Sequence, residues 1–488
     1  MRVPYVGFIG DAYSAITRSI DMQECVNLYL EREKGSSKSP AVLINTPGLD
    51  LHVDTGIAAA WRGLHVTADN NVFGVVGNQV VQIFPDKKQR SIGTIKTISG
   101  VVDICDNGPR NMFGGAQILF VDGRYSYVYD LKTSEFYPLS SDSNMPIANH
   151  LVYKDGYFIC NRVGTGEFWI SNLYDGNTWY GTAFATAESM PDNIVSMKVV
   201  NNELWLFGSK STEIWYNAGN NADGVPQFQR ILNAFIETGT VAEWSPATLG
   251  NQILWLGSDN TGNGTVWQAN GYQPTRVSTH GIEHLISGFH RVDDAIGFCY
   301  QQEGHAFYVL TFPTAQKTLC YDMSSGCWHE RSSYNMDKNV DEQWRVSCHG
   351  FCNGNHFVGD AANGKIYILN LSTYTENGGL IRRIRTTPHV SKSMERVFYY
   401  EFELDMQKGC GIPKGYGSDP QAMLKLSRDG GHTWGFERSE AIGKQGQYLT
   451  RMHWHQLGSG RDMVFQVVVT DPIPVRLIAA WLDVEGEK

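Results

Sequence analysis

Two histidines near the end of the chain have a spacing at which side chains could bind a metal ion. His453-Trp454-His455 places two imidazoles on one face of a strand, where zinc or copper could bind. The sequence suggests no third ligand beside them. We therefore interpret the pair as a polar strand face, and we expect neither a metal ion nor another cofactor in this protein.

Cysteine and histidine side chains also cluster earlier in the chain, at Cys348, His349, Cys352 and His356. Neither Cys-x-x-Cys pair of a zinc ribbon is present there. Because a cysteine on a strand is more often a small core residue, we interpret this cluster as structural. The chain has nine cysteines, an odd number without a dense framework, which indicates reduced thiols in a protein made in a cytoplasm.

The dense positive run Arg382-Arg383-Ile384-Arg385 has the charge needed to contact DNA phosphate or an acidic partner. A solvated strand face at a domain joint is the favoured interpretation. We nevertheless keep Arg382, Arg383 and Arg385 as candidate contacts with DNA or with a partner protein.

The sharpest local motif runs from Ser427 to Trp434 and fits the pattern Ser-x-Asp-x-Gly-x-x-Trp. It resembles the Asp-box hairpin of sialidases, which in that family is structural and lies away from catalysis. We expect Ser427, Asp429, Gly431 and Trp434 to build a tight turn of this kind. The motif occurs once, whereas a sialidase propeller is expected to carry several copies together with an arginine trio and a Tyr–Glu pair.

Other catalytic signatures are missing from the sequence. There is no Gly-x-Ser-x-Gly nucleophile elbow, no phosphate-binding Gly-x-x-x-x-Gly-Lys-Ser/Thr loop, and no Gly-x-Gly-x-x-Gly opening a helix. Recurring tryptophans are better explained by core packing than by a platform for glycans. We conclude that the chain is not an enzyme.

The elements that must position these residues are short strands joined by tight turns. Val72 to Val76, the turn Gly77-Asn78 and Gln79 to Phe84 form one hairpin unit, and related units return along the chain. Their spacing of roughly 40–55 residues is that of a four-stranded propeller blade. The pattern predicts an all-β protein with a β-propeller of about seven blades, six or eight being alternatives.

The pattern changes after residue 390, where longer alternating strands begin with Val397 to Asp405. We divide the chain into an N-terminal arm with a ring-closing strand (1–60), a β-propeller (61–390) and a small β-sandwich-like domain (391–488). Ala41 to Ile44 is the candidate ring-closing strand. The sequence predicts little helix beyond a short one at 280–286.

Composition excludes several classes of protein. The 488 residues carry a formal net charge of −10, which argues against broad electrostatic binding to nucleic acid. No stretch of about 18 apolar residues is present, so we expect no membrane span. The first residues show no secretory signal.

Several segments follow one another in a recognisable order, from Tyr5-Val6-Gly7, Tyr13-Ser14, Asp21 to Tyr29 and Thr46 to Leu49 through Gln117 to Asp130, Ser189 to Asp192, Leu204 to Gly208, Thr212 to Trp215 and Gly262 to Trp267. In their order and in the length of the chain they resemble the packaged-DNA stabilisation proteins, or tail hub (nozzle) proteins, of short-tailed bacteriophages (podoviruses). The resemblance covers nearly the whole chain.

This resemblance implies a structural virion protein made in the host cytoplasm. Such proteins form a homo-hexamer below the portal and its adaptor ring, extend the channel for packaged double-stranded DNA, and carry the tail needle, tailspike or fibre proteins. We expect the partner contacts in three non-repeating loops, at 132–149, 217–227 and 335–343.

The negative charge adds one expectation and leaves two alternatives open. Acidic subunits around DNA would adhere to it weakly, so we expect a neutral or negative lumen in which DNA slides. The Asp-box keeps open a sialidase-like, glycan-processing propeller, and the propeller itself keeps open a lectin-like module that binds host glycans.

Overall fold

The computed structural model describes residues 2–15, 17–32, 39–109, 115–187, 192–220, 226–258, 263–392 and 395–486. Residues 189–191, 221–225 and 262, which belong to segments singled out in the sequence, lie outside these ranges. Within them the chain is built of β-strands, apart from α1 (His280–Ser287) and a short 3-10 helix (Ser141–Ser143). The helix predicted at 280–286 is confirmed. Neither helix has the length and apolar character that crossing a bilayer requires.

Seven short strands precede the first repeating unit of the fold. They are β1 (Arg2–Pro4), β2 (Tyr13–Ser14), β3 (Met22–Gln23), β4 (Cys25–Val26), β5 (Leu28–Arg32), β6 (Ala41–Asn45) and β7 (Gly48–Asp54). These strands are divided among several sheets: β2 and β3 pair only with each other, whereas the other five join sheets formed by later parts of the chain.

Antiparallel sheets then follow one another along the chain, and each forms one blade of a propeller. Blade 1 contains β8 (Trp61–Val66), β9 (Val72–Val76), β10 (Gln79–Ile83) and β11 (Gln89–Thr94), and blade 2 contains β12 (Asp103–Asp106), β13 (Gln117–Val121), β14 (Ser126–Asp130) and β15 (Glu135–Pro138). Blade 3 contains β16 (Leu151–Lys154), β17 (Tyr157–Asn161), β18 (Glu167–Asn172) and β19 (Asp175–Thr186). Blade 4 contains β20 (Ser196–Val200), β21 (Glu203–Phe207), β22 (Thr212–Asn220) and β23 (Pro226–Arg230).

Blades 5 to 7 are less regular than the first four. Blade 5 contains β24 (Gly239–Thr240), β25 (Ala247–Leu249), β26 (Gln252–Ser258), β27 (Asn263–Asn270) and β28 (Gln273–Arg276). Blade 6 contains β29 (Ile296–Gln302), β30 (His305–Phe312), β31 (Lys317–Asp322), β32 (Cys327–Asn335) and β33 (Val340–Gln343). Blade 7 contains β34 (Val346–Cys352), β35 (Asn355–Asp360) and β36 (Lys365–Asn370). The described chain thus contains seven blades, and the predicted propeller is confirmed.

The blades surround a common axis because the first strand of each contacts the first strand of the next, with β25 in this position in blade 5. Tight hairpins set this arrangement. In four of them both turn residues have positive φ, namely Asp155-Gly156, Asn201-Asn202, Glu303-Gly304 and Asn353-Gly354. Such turns match the right-handed twist of the strands that they connect, and Asn, Asp and Gly adopt them most readily.

β7 closes the propeller ring by pairing with β36, so that Val53 lies opposite Ile366. Asp50 strengthens the closure, since its carboxylate accepts hydrogen bonds from Asn370 Nδ2 at 2.7 Å and Thr373 Oγ1 at 2.8 Å. The prediction that Ala41 to Ile44 closes the ring is wrong, because that strand, β6, pairs with β5 and β44. Both candidate strands carry apolar residues, and each has a partner hundreds of residues away, β36 for β7 and β44 for β6, so local pattern does not distinguish them.

Neighbouring blades bury their apolar faces against each other. Phe207 of blade 4 packs on Trp255 of blade 5 with ring centroids 5.5 Å apart, and Phe168 of blade 3 meets Trp215 of blade 4 at 5.3 Å. Trp205 and Trp255 are almost completely buried. The recurring tryptophans therefore belong to the packing between blades, as expected for sheets that cannot bury both faces alone.

The C-terminal strands form a β-sandwich. They are β37 (Arg383–Thr386), β38 (Val390–Ser391), β39 (Val397–Met406), β40 (Gln421–Ser427), β41 (Arg438–Ala441), β42 (Met452–Gly460), β43 (Asp462–Val469) and β44 (Arg476–Gly486). One sheet has the order β42-β39-β44-β6-β5, with β1 on β44, and the other has the order β4-β37-β43-β40-β41. N-terminal strands thus complete both sheets, and Leu43 shares a core with Phe402, Trp454 and Phe465.

β4 lies between the two domains and joins them into one continuous sheet. Val26 pairs in parallel with Glu330 of blade 6 and antiparallel with Ile384 of the sandwich. All nine cysteines are unpaired thiols, so hydrogen bonds and packing, not disulfides, hold this arrangement together.

Candidate functional site

A cavity of about 640 Å³ lies on the propeller axis. Its walls come mainly from the inner strands of blades 1, 2, 6 and 7 and include Trp61, Asp103, Phe298 and His349. Apolar and charged side chains both line it, and its volume lies in the range of small-molecule sites. No local sequence pattern indicates this cavity, because its walls come from strands far apart in the chain.

Ionisable side chains from three blades meet beside the cavity. His150, which is fully buried, places its Nδ1 3.8 Å from Asp103 Oδ2 and its Nε2 3.5 Å from Glu243 Oε1. Burial alone would raise the pKa of Asp103, but His150 and Lys198 outweigh it and hold that pKa below its usual range. Burial raises the pKa of Glu243, and His150 offsets only part of the effect. These side chains bring blades 2, 3 and 5 together beside the axis.

The basic run at the start of the sandwich lies largely inside the protein. Arg383 and Arg385 are 1% and 0% exposed, so the interpretation of these two residues as a solvated face or as DNA contacts is wrong. Arg383 donates to the backbone carbonyls of Asp471 at 3.0 Å and Tyr374 at 2.9 Å. Hydrogen bonds to carbonyls offset part of the cost of burying a guanidinium, and the sequence does not reveal them.

Arg382 alone of the three candidate arginines reaches the surface. Its Nη1 donates to Asp341 Oδ2 at 2.6 Å, and its guanidinium lies over the ring of Tyr334. Both partners belong to the hairpin of β32 and β33. Arg382 therefore fixes this hairpin against the sandwich and has one charged partner already.

Asn27 links the propeller to the sandwich at the β4 junction. Its Nδ2 donates to Ser332 O at 3.1 Å and to Arg382 O at 2.8 Å, and its Oδ1 accepts from Ser332 N at 3.1 Å. The residue is buried and has a φ of 54°, a conformation that asparagine tolerates better than most residues. One amide side chain thus satisfies backbone groups of both domains, which favours a fixed angle between them.

The Asp-box segment forms a turn that is closed by its own side chains. Asp429 accepts from Thr433 N at 2.9 Å and from Ser427 Oγ at 2.7 Å, while Ser427 Oγ accepts from Gly431 N at 2.8 Å. Hydrogen bonds from Thr433 and Ser427 hold the pKa of the Asp429 carboxyl well below its usual range. Trp434 is half-buried at the end of the turn. The polar side chains of the box therefore form the hydrogen bonds that hold the turn.

The histidine pair on β42 has a neighbour that the sequence did not suggest. Glu401 lies on the adjacent strand β39, directly opposite His455, and its Oε1 bonds to Nδ1 of His453. One ligand atom from each of Glu401, His453 and His455 lies within 4.8 Å of the other two. Only the strand pairing, which joins positions far apart in sequence, reveals this third side chain.

The other candidate cluster is divided between different contacts. His349 Nε2 lies 3.0 Å from His356 Nδ1, and burial lowers the pKa of His349 to about 3. Cys352 Sγ donates to the carbonyl of Asn70 at 3.2 Å. Cys348 packs beneath Trp61 in the core between blades 1 and 7.

The three loops proposed for partner contacts are partly extensions of strands. The loop at 132–149 contains β15 and the 3-10 helix, and the loop at 335–343 contains β33. In the loop at 217–227, residues 217–220 and 226–227 extend β22 and β23, and residues 221–225 lie outside the described chain. Ile147 and Met336 are 59% and 69% exposed.

Two family models match the chain. Residues 19–374 match the family described as bacteriophage P22 Gp10, beta-propeller, and residues 382–485 match bacteriophage P22 Gp10, beta-sandwich. Together they cover most of the sequence. The chain belongs to the bacteriophage P22 Gp10 family.

No curated protein matches the chain. Among solved structures, the chain matches a computationally designed protein, Ika8, at 8% identity and a TM-score of 0.39, covering 66% of this chain and 99% of that chain. A chain of the mitotic checkpoint complex matches at 14% identity and a TM-score of 0.40, covering 70% and 96%.

Membership of the P22 Gp10 family confirms the resemblance found in the sequence and the order of the two domains, propeller first and sandwich second. The P22 Gp10 family consists of structural phage proteins. The buried arginines, the closed Asp-box and the β4 junction are therefore features of a structural phage protein.

Proposed function

We propose that this chain is a tail hub, or nozzle, protein of a short-tailed phage, and that it stabilises packaged DNA. A homo-hexamer of it lies below the portal–adaptor complex, extends the DNA channel and carries the terminal tail proteins. The proposal rests on membership of the P22 Gp10 family. It places the protein in the virion, after synthesis in the host cytoplasm, and gives it no enzymatic role.

The continuous sheet through β4 is the structural observation that supports this role. Val26 pairs with Glu330 on one side and Ile384 on the other, and Asn27 bonds to both domains. Sheet pairing and buried hydrogen bonds resist rotation of one domain against the other, unlike a flexible linker. A hub that holds several proteins in register needs such a fixed angle.

Exposed apolar side chains on the loops are the proposed partner contacts. Ile147 and Met336 project from two blade-end loops, and Tyr448 and Leu449 are 71% and 95% exposed on the sandwich. Groups of such exposed apolar side chains are uncommon on surfaces that contact only water. They are typical of surfaces that bind other proteins. These side chains would contact the adaptor ring above and the needle, tailspike or fibre proteins below.

The net charge of −10 supports sliding rather than holding of DNA. An acidic wall repels phosphate and binds it weakly at physiological salt. Retention of the genome would then depend on closure of the tube below the hub. A strongly basic lumen in the assembled ring would contradict this part of the proposal.

The test is cryo-electron microscopy of the parent particle, combined with a phage that lacks this chain. We expect a sixfold ring below the adaptor, and particles without the chain should package DNA and then lose it to added DNase. Complementation with the wild-type chain should restore DNase resistance. A location in a distal fibre, or full DNase resistance without the chain, would contradict the proposal and favour the glycan-binding alternative.

A further inference from the structure

The outer face of one sandwich sheet carries a cluster of possible metal ligands on the adjacent strands β39 and β42. Phe402 and Trp454 point into the core and are almost fully buried. Because side chains alternate along a strand, Glu401, His453 and His455 share the opposite face. None of these three is needed for the packing of the sandwich core.

The three side chains lie close together because of the register in which the two strands pair. His455 lies directly opposite Glu401, and His453 is two positions away on the same face. The carboxylate bonds to Nδ1 of His453 through Oε1, and its Oε2 lies 3.8 Å from Nδ1 of His455. The two imidazole rings are parallel within 5°, with centroids 5.9 Å apart. Both Nδ1 atoms therefore face the same carboxylate.

Glu403 supplies a second observation that points to a bound ion. Its Oε1 accepts from Arg451 Nη2 at 3.0 Å, and Arg2 pairs with its other oxygen. The same Oε1 lies 3.6 Å from His453 Nε2. Histidines that bind metals usually direct their other ring nitrogen at a carboxylate, which orients the ring and fixes the tautomer. The arginines neutralise Glu403, and Glu401 remains opposite the imidazoles.

We propose that Glu401, His453 and His455 bind one divalent transition-metal ion of the zinc class. The ligand atoms are Nδ1 of both histidines and the carboxylate of Glu401, because both Nδ1 atoms face that carboxylate. A metal ion on Nδ1 of His453 leaves Nε2 as the N–H donor of that ring, and Nε2 faces Glu403 Oε1 at 3.6 Å. Imidazole ligands select zinc, nickel, cobalt or copper over magnesium and calcium.

The coordination leaves one position open to water. The side chain of His455 is 63% exposed, whereas those of His453 and Glu401 are 19% and 26% exposed. Two histidines and one carboxylate with an open fourth position form a common arrangement for zinc. The site lies on the sandwich surface, far in sequence from every blade of the propeller.

The test is isothermal titration calorimetry of the untagged full-length chain with ZnCl₂. We expect one ion bound per chain, unaffected by excess MgCl₂. Glu401→Gln and His455→Ala should each weaken Kd at least about tenfold, because even the partners of metal ligands are worth about 10- to 100-fold. The matched control is His280→Ala, an exposed histidine 3.8 Å from Glu283 on α1, which should leave Kd unchanged.

A spectroscopic measurement separates coordination at this site from weak surface binding. Co²⁺ added to the wild-type chain should give visible absorption bands of four- or five-coordinate cobalt, and Zn²⁺ should remove them. Both bands and binding should be lost in His455→Ala, whose exposed side chain is dispensable for folding. Absence of saturable Zn²⁺ binding, or equal binding by the wild-type, Glu401→Gln and His455→Ala chains, would overturn the proposal.

Discussion

Arg385 donates a hydrogen bond of 2.7 Å from its Nε to the backbone carbonyl of Phe8, a residue 377 positions earlier in the chain. The same guanidinium donates to the carbonyls of Gly7 at 2.9 Å and Asp11 at 3.0 Å, and to Gln23 Oε1 at 2.7 Å. A fully buried charge thus attaches the N-terminal segment to the sandwich. The carbonyl of Glu24 accepts a fifth hydrogen bond at 3.5 Å, so Arg385 has more acceptors than Arg382 or Arg383.

We expect Arg385→Ala to destabilise the sandwich by about 3 kcal/mol or more, because it leaves several buried carbonyls without donors. The matched control is Arg382→Ala, which removes a partly exposed pair with Asp341 and should cost about 1 kcal/mol or less. Thermal unfolding of the two variants under the same conditions measures the difference. Equal losses of stability would contradict the structural role given to Arg385.

Closure of the propeller ring by β7 predicts that substitutions at two positions of this strand destabilise the protein unequally. Val53 is 6% exposed in the core between blades 7 and 1, whereas Leu51 on the same strand is 38% exposed. We expect Val53→Asp to open the ring, since it buries an unpaired charge at the closing strand, and to cost about 3 kcal/mol or more. Leu51→Asp should cost less than about 1 kcal/mol. Limited proteolysis between residues 54 and 61 reports the opening, and similar cleavage in both variants would argue against closure by β7.

Glu376 lies beside the closing strand and gives the stability a predicted pH dependence. Burial raises its pKa to about 7, although hydrogen bonds from Ser333 and Trp344 and the charge of Arg345 act in the opposite direction. An unfolded glutamate has a pKa of about 4.3. The folded protein therefore holds this proton more tightly, and stability falls as pH rises between these two values.

The amide that Glu376→Gln introduces cannot ionise, so this variant should not show the fall in stability with rising pH. Relative to the wild type, the variant should gain stability between pH 5 and pH 8, on the order of 3 kcal/mol. The control is Glu342→Gln, because hydrogen bonds from Lys338 and Asn335 lower the pKa of Glu342 and it stays ionised across this range. Unfolding midpoints at both pH values decide the matter: a constant difference between Glu376→Gln and the wild type would refute the prediction.

The Asp-box turn makes a prediction that separates architecture from catalysis. Asp429→Ala removes the acceptor for Thr433 N and for the hydroxyls of Thr433 and Ser427, so the turn should loosen. Trypsin should then cleave after Arg428 faster than in the wild type. Asp86→Ala, which removes an exposed turn carboxylate in blade 1, should leave that cleavage rate unchanged. No change at Arg428 in the Asp429→Ala variant would show that the box does not hold the turn.

The sequence predicts the repeating part of this fold well, because its determinants are local. Turns such as Asn201-Asn202 and Asp155-Gly156 have positive φ where the sequence predicts hairpins, and the short helix at 280–286 is present. The choice of ring-closing strand depends instead on pairing between Val53 and Ile366, which no local pattern encodes.

The candidate site residues show the same division between local and distant causes. Ser427, Asp429 and Gly431 bond within a few residues of one another, and the motif identifies them. Arg385 lies in a charged run that suggests solvent, yet carbonyls from the first residues of the chain surround it. Glu401 becomes a neighbour of His455 only through strand pairing.

The strand β4 also bears on how this protein can be inherited. The two family matches meet between residues 374 and 382, which looks like a natural point of exchange between related phages. A crossover there would separate β1, β4, β5 and β6 from the sandwich sheets into which they fit. We expect recombinants to be viable only when the first 45 residues and the C-terminal domain come from the same parent.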